Sequence, residues 1–226
     1  SASVANYQTA LRSITYVNSS EAPSTLTRTV SFVVNDGAAN SNTGLRSLSV
    51  AAVNDAPVVT TSGTTLTYTE NDAATAIDAA LTVDDVDNAN LDSATVSIST
   101  NYASGQDLLA FVNQNGISGS FNAGSGVLTL TGSASVANYQ TALRSITYVN
   151  TSEAPSTATR TLSFVVNDGA ANSNSATRSL SVAAVNDAPV LTTSVSTLAL
   201  SRRRPSMGVR VSSETRPPEK RPYCTG

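Results

Sequence analysis

Hydrophobic and polar residues alternate along most of this chain. Leu162, Phe164 and Val166 fall on one side of an extended segment, and Thr161, Ser163 and Val165 on the other. Leu180, Val182 and Ala184 repeat the pattern further on, as do Ala94, Val96 and Ile98 earlier. Thr64–Glu70 reads as a strand, and Ile77, Ala79, Leu81 and Val83 alternate along another. Leu108–Val112 is a short apolar run that fits either a strand or a helical turn. Ile117–Phe121 and Val127–Leu130 flank the turn-rich Asn122–Gly126 and predict a hairpin. One segment breaks the alternation. In Ser135–Arg144, Val136, Tyr139 and Leu143 recur at helical spacing, which predicts one short helix before Ile146 and Tyr148 resume the strand pattern. Roughly seven to nine short strands, with turns about every 8–12 residues, predict an all-β fold. Its expected form is an antiparallel β-sandwich of immunoglobulin-like architecture, with one short helix in each repeat.

The pattern also recurs at long range. Val53–Pro57 reappears as Val185–Pro189, an offset of 132 residues, and residues 1–58 match 133–190 except at positions 19, 26, 30, 43, 44 and 45. The unit of repetition is therefore a whole domain. The expected organisation is the C-terminal part of a repeat at 1–54, a complete repeat at 55–188 and the start of another at 189–200. Residues 201–226 form a basic tail foreign to the array, either aberrant or disordered. A half-repeat has no partner for its apolar face, so Phe32, Val34, Leu48 and Val50 are expected to be exposed and to promote association.

Composition narrows the chemistry. The chain has no His or Trp, and its one Cys lies in the tail. Residues 1–200 carry six Arg, no Lys and fourteen acids, a net charge of −8, whereas the tail carries six Arg, one Lys and two Glu, a net of +5. An acidic, Lys-free body is a poor match for a row of phosphates, so no nucleic-acid partner is expected. No apolar run approaches the roughly 18–20 residues that span a bilayer. Without a histidine base or an activated nucleophile, no enzyme activity is expected. Tyr139 and Tyr148 read as core residues, and Arg144 and Arg160 as surface partners for Glu153 or other acids. Asn18–Ser20 and Asn150–Ser152 fit the N-glycosylation pattern, which is frequent by chance.

The acids cluster instead. Asp84, Asp85 and Asp87, followed by Asn88, Asn90 and Asp92, fall in one loop between strands. Like charges this close repel, so the loop is either well solvated or neutralised by a hard cation such as calcium, which takes six to eight oxygen ligands. Asp85-Val86-Asp87 spacing lets two carboxylates converge on one ion. This is no EF-hand, since the required Gly and terminal Glu are absent.

Three motifs together, SVANYQTALRSITY, RTLSFVVNDGAANS and the VNDAP joint, resemble the cadherin-like repeats found in tandem in very large bacterial surface and secreted adhesins. The resemblance spans residues 1–200. It implies calcium at the joints between repeats. Carried over, the ligands at one joint are Asn54 and Asp55, the Asp-x-Asp pair Asp85 and Asp87, Asn90 as a looser match, and Asp168 of the Asn-Asp-Gly motif. At the next joint Glu70 would meet Asn186 and Asp187. The cadherin linker has a further Asp where this chain has Ala51, Ala52 and Val53, and the cadherin acidic motif after the hairpin is replaced by Thr131–Ala134. Fewer ions or weaker binding is the consequence expected. The implied function is an extracellular, cell-surface adhesive module, stiffened by calcium and contacting neighbouring repeats, other surface proteins or glycans. The alternatives are a metal-free spacer of the same fold, or a glycan- or protein-binding domain.

Overall fold

The computed structural model describes residues 2–191. The readings of residues 192–200 and of the 201–226 tail fall outside the described residues. The chain divides into two units, Ser1–Asp187 and Ala188–Gly226.

Elements of the first unit follow the hydrophobic pattern. α1 (Val4–Arg12), β1 (Arg28–Phe32) and β2 (Gly44–Leu48) form the first copy of the repeated segment. Then come β3 (Val58–Thr60), β4 (Leu66–Thr69), β5 (Thr75–Ala76), β6 (Thr82–Asp84), β7 (Asn90–Thr100), β8 (Asp107–Ala110), β9 (Ser118–Asn122) and β10 (Val127–Ser135). α2 (Val136–Arg144), β11 (Thr147–Asn150), β12 (Arg160–Asn167) and β13 (Ala176–Ala183) complete it. The protein is predominantly β. Among the described residues, β4-β13-β12-β7-β10-β9 make a six-stranded sheet and β5-β11-β8 a three-stranded one, with two-stranded sheets β1-β2 and β3-β6 beside them. Every pairing is antiparallel except that of β4 with β13.

One core serves the two larger sheets. Val96, Leu128, Leu130, Phe164 and Leu180 come from the six-stranded sheet, Leu109 and Tyr148 from the three-stranded one, and Tyr139 and Leu143 from α2. Tyr68 of β4 meets Tyr148 of β11 edge to face, with centroids 5.1 Å apart, a favoured aromatic geometry. The helix starts where the sequence places it, because the Ser135 hydroxyl accepts the N–H of Asn138 as an N-cap.

One strand reading needs correction, and one open choice is decided. The segment Ile77–Val83 is not one alternating strand, and Ala79 is exposed. Asp78 breaks it. Its buried carboxylate accepts the N–H groups of Ala80 and Ser62 and faces Arg178 at 3.5 Å, so the chain turns between β5 and β6. Leu108–Val112 resolves as a strand that stops at Ala110.

The two copies of the repeated segment differ in burial. Tyr139, Ile146 and Tyr148 are 0% exposed, whereas Tyr7, Ile14 and Tyr16 at the matching positions are 46%, 60% and 50% exposed. No residue of α1 is buried. The sequence of the segment is almost the same; what differs is that only the second copy has β3–β10 to pack against.

Candidate metal centre

The expected ligands fall at two places in the first unit. The first lies where Asn54 and Asp55 lead into β3. The β6–β7 loop folds on itself because the Asp85 Oδ1 accepts the N–H groups of Asp87 and Asn88, at 3.2 and 2.8 Å. Such local side-chain bonding is what Asp supplies in a turn. It brings the two carboxylates onto one side. Asp87 Oδ2 accepts the N–H of Asp55 at 3.1 Å. The Asn54 amide donates to Asp168 Oδ2 at 2.8 Å, and Asn88 donates both to Asn54 Oδ1 and to that same Asp168 oxygen, at 2.7 and 3.3 Å.

Asp168 is held by its own turn. Its Oδ1 accepts from Ala170 and Ala171 at 2.7 and 2.6 Å. Gly169 adopts φ +98°, and a Cβ there would lie 2.7 Å from Asp92 Oδ2; the Gly of the Asn-Asp-Gly motif is thus required by conformation and by space. Burial pushes the Asp168 carboxyl up, but the N–H groups of Ala171 and Ala170 and the amides of Asn54 and Asn88 outweigh it and hold it below the usual range. Asp85 goes the other way. Burial and the adjacent Asp87 carboxylate raise it, against the pull of the Asn88 and Asp87 N–H groups. Two oxygens here, Asp85 Oδ2 and Asp87 Oδ1, are buried and meet no hydrogen-bond donor. Buried acceptors without partners are unfavourable unless a cation meets them, so the donor set fits a hard, oxygen-seeking ion.

The second cluster sits beyond the far ends of β4 and β13. Glu70 continues the parallel ladder by donating its N–H to the Ala183 carbonyl at 2.8 Å. Its Oε2 accepts the N–H of Val185 at 2.7 Å, while Oε1 is buried and unpartnered. The residue is only 4% exposed. Carboxylate oxygens of Glu70, Glu153 and Asp187 all lie within 4.8 Å of one another. The loop that presents Glu153 is anchored from below. Asn150 Oδ1 accepts the N–H of Ser152, and its amide donates to Asp107 Oδ1 at 2.7 Å. Arg160 Nε spans both oxygens of Asp107 at 3.0 and 2.9 Å, and its Nη1 donates to the carbonyls of Ser156 and Ala158. Tyr148 adds its hydroxyl to Asp107 at 2.6 Å.

No protein-family model matches the chain. A stretch of 135 residues is similar to halomucin of Haloquadratum walsbyi. The identity is 32%, covering 58% of this chain but 1% of halomucin. The likeness therefore relates this chain to a short segment of a very large protein. No helix among the described residues is long and apolar enough to cross a membrane.

The structure links Asn54 to Asp168 and the Asp55 backbone to Asp87 by hydrogen bonds, with Asp85 in the same loop as Asp87, and it groups the carboxylates of Glu70 and Asp187 with that of Glu153; Asn186 lies beside Asp187 through an amide-to-carbonyl bond of 3.2 Å. Asn90 does not join them. It opens β7, exposed and paired with Ser135, because the loop closes at Asn88 two residues earlier. Asn88, not Asn90, reaches Asn54 and Asp168. The sequence predicts Glu153 as a surface partner of Arg144 or Arg160. Arg160 is instead fully buried against Asp107, and Arg144 donates to the Leu81 carbonyl. That correction frees Glu153 for the second cluster. A usable signal existed: residues 1–200 contain three glutamates, Glu21, Glu70 and Glu153, and Glu21 is the copy of Glu153. The glycosylation-like Asn150 is buried with its amide engaged by Asp107.

Proposed function

We propose that this chain is a structural and adhesive repeat module of an extracellular protein, built as cadherin-like, immunoglobulin-like β-sandwich repeats and stiffened by calcium at the joints. On this reading residues 1–54, 55–188 and 189–200 belong to successive repeats, the module is not an enzyme, and its partners are neighbouring repeats and other surface proteins or glycans. Similarity to a segment of a very large protein, together with the internal repeat, supports a role in a long array. The observation that carries the calcium reading is the set of buried, unpartnered carboxylate oxygens on Asp85, Asp87 and Glu70. Asn54, Asp55, Asp85, Asp87 and Asp168 would hold the ion at one joint, and Glu70, Asn186 and Asp187 would contribute at the next. Bound only by the aligned, folded pair, calcium stabilises by RT ln(1 + [Ca]/Kd), about 2.7 kcal/mol at a hundredfold excess. It also ties a linker to the repeat that follows, next to Pro57, whose ring already restricts the backbone.

The test is thermal unfolding of the full chain in excess EDTA and in millimolar calcium, with magnesium as control. A calcium-specific rise of several degrees, lost when Asp85→Asn and Asp87→Asn are combined, supports the reading. Superimposable curves favour the metal-free spacer. That second reading has its own observation: Asn54 and Asn88 already cross-link the joint to Asp168 through hydrogen bonds alone.

A further inference from the structure

We infer that α1–β1–β2 is a docking face for a second copy of this chain, and that the segment it takes is that copy's β3–β10 half. The pairing needs no metal and stands apart from the calcium reading.

The first observation is the openness of the face. Leu11, Ile14, Tyr16, Val30, Phe32 and Leu48 line an open cavity of ≈ 780 Å³. Among the described residues β1 and β2 pair only with each other, whereas their copies β12 and β13 continue into β7 and β4. An apolar face flanked by two unpaired strand edges is a template for further strands.

The second observation is what covers the same face in the complete repeat. There β3–β10 packs on α2, β12 and β13, and Tyr139, Phe164 and Leu180 are buried. Four polar side chains of that copy also bind the β3–β6 backbone. Gln140 Oε1 accepts the N–H of Val83 at 3.2 Å, and Arg144 donates to the Leu81 carbonyl at 2.7 Å. Asn174 bonds both the N–H and the carbonyl of Val59, and Arg178 donates to the carbonyls of Thr64 and Ile77. The first copy keeps all four, as Gln8, Arg12, Asn42 and Arg46. Arg12 and Arg46 line the same open cavity. The face thus carries both the apolar surface and the polar groups that fit a β3–β10 half.

The third observation is that the chain's own β3–β10 cannot reach it. In the complete repeat Val59 lies at Asn174, and Thr69 lies beside Ala183. On the first copy Val59 would sit at Asn42, nine residues before the matching strand end at Ala51. Nine residues of strand rise about 30 Å. The eight residue steps from Ala51 to Val59 span at most about 26–29 Å when fully extended, and they would have to turn back at both ends. A second molecule meets no such limit. Such an exchange of identical elements between molecules is domain swapping. The donor's own α2–β13 flank competes at an effective concentration of about millimolar, so the exchange dominates once that flank is weakened.

The experiment uses two full-length chains, each with Cys224→Ser. The donor carries Ser97→Cys and Phe164→Asp, the latter placing a charge in the core of its own flank. The acceptor carries Ser31→Cys. Ser31 is the copy of Ser163, which pairs with Ser97 across β12 and β7, and cross-strand neighbours lie within disulfide reach. The two chains are refolded together from urea, oxidised, and mapped by peptide mass. A disulfide between positions 31 and 97 is expected in several-fold excess over the 31–31 and 97–97 products. It should rise with acceptor concentration and fall at least fivefold when the acceptor also carries Phe32→Ala or Arg12→Ala with Arg46→Ala. Ser97→Cys with Ser163→Cys in one chain, with Phe164 intact, should close within the molecule and shows that the register permits the bond. If that control closes while the 31–97 product stays at the statistical level, or ignores the Phe32 and arginine changes, the inference is wrong.

Discussion

Asp107→Asn is the substitution that reaches furthest through this structure. Asp107 is fully buried and collects Arg160 Nε on both oxygens, the Tyr148 hydroxyl, the Asn150 amide and the Ala103 N–H. Every one of these partners is a donor. An Asn in its place keeps one acceptor oxygen, presents an NH2 group to donors, and leaves the Arg160 charge uncompensated. Breaking one partner of a buried ion pair costs about 3–5 kcal/mol. At roughly 2–4 °C per kcal/mol for a domain of this size, Tm falls by about 6–20 °C. The assay is urea unfolding at neutral pH followed by circular dichroism, with the slope checked so that a lower midpoint means lost stability and not a changed unfolded state. The pH dependence gives a second reading. Burial raises the Asp107 carboxyl, but Arg160, Tyr148, Ala103 and Asn150 together hold it below its ordinary range. Its stabilisation is therefore present above the unfolded carboxyl range and is lost as pH falls below about 4 through the folded value. The gap between wild type and variant should close there. A loss smaller than about 1 kcal/mol at pH 7, or a gap that persists unchanged into acid, would refute the account.

Three further outcomes follow from the same geometry. Ile146→Ala, at a position 0% exposed, should cost about 2–5 kcal/mol, while Ile14→Ala, its 60% exposed copy, should stay within about 0.5 kcal/mol; equal effects in urea titrations would show that the two copies are packed alike. Gly169→Ala, with φ +98° and its Cβ 2.7 Å from Asp92 Oδ2, should destabilise by about 1–3 kcal/mol and weaken calcium binding through the displaced Asp168, read by titration calorimetry. Tyr139→Phe removes the bond from the phenol to the Gly132 carbonyl at 2.7 Å and should cost about 1 kcal/mol. Burial and the Asp92 charge push that phenol up to about 12, so its contribution is complete below about pH 10 and disappears as pH rises through 12; alkaline unfolding should show the step in wild type and not in the variant.

The sequence was most legible where one rule governed each residue. Period-2 alternation found β7, β12 and β13, and the switch to helical spacing found α2 with its Ser135 cap. It was least legible where a polar side chain redirected the backbone. Ile77, Ala79, Leu81 and Val83 alternate on paper, but Asp78 accepts two N–H groups and faces Arg178, so the ladder breaks at the one charged residue of the segment. At the site, Asp85 and Asp87 could be paired from spacing alone. Asn88 in place of Asn90 could not, since the turn closed by Asp85 decides which amide points inward. Glu153 is hidden by its nearness in sequence to Arg160, whose partner is Asp107, 53 positions away.

The core and the Glu153 loop are physically coupled. Arg160 does more than neutralise Asp107. Its Nη1 holds the carbonyls of Ser156 and Ala158, and Asn150, tied to the same Asp107 oxygen, holds the N–H of Ser152. The Glu153 loop is therefore clamped on both flanks by one buried carboxylate. Arg28 keeps half of that clamp in the first copy, donating to the carbonyls of Ser24 and Leu26, and Asn18 still accepts from Ser20. The loop that carries Glu21 consequently takes its shape from its own arginine and asparagine even where the packing of the core is missing. A calcium ligand on a loop normally brings the entropy of ordering that loop against binding. On the calcium reading, the arginine and asparagine order it beforehand, and in the second copy Asp107 locks it. On the calcium reading, Asp107→Asn should weaken cation binding at the Glu70, Glu153 and Asp187 carboxylates without touching any of them, and should leave binding at Asp85 and Asp87, on the β6–β7 loop, as it was. Calcium titration of that one variant separates the two: equal loss at both sites would mean that the joint responds only to global stability, and unequal loss that the buried carboxylate sets the loop.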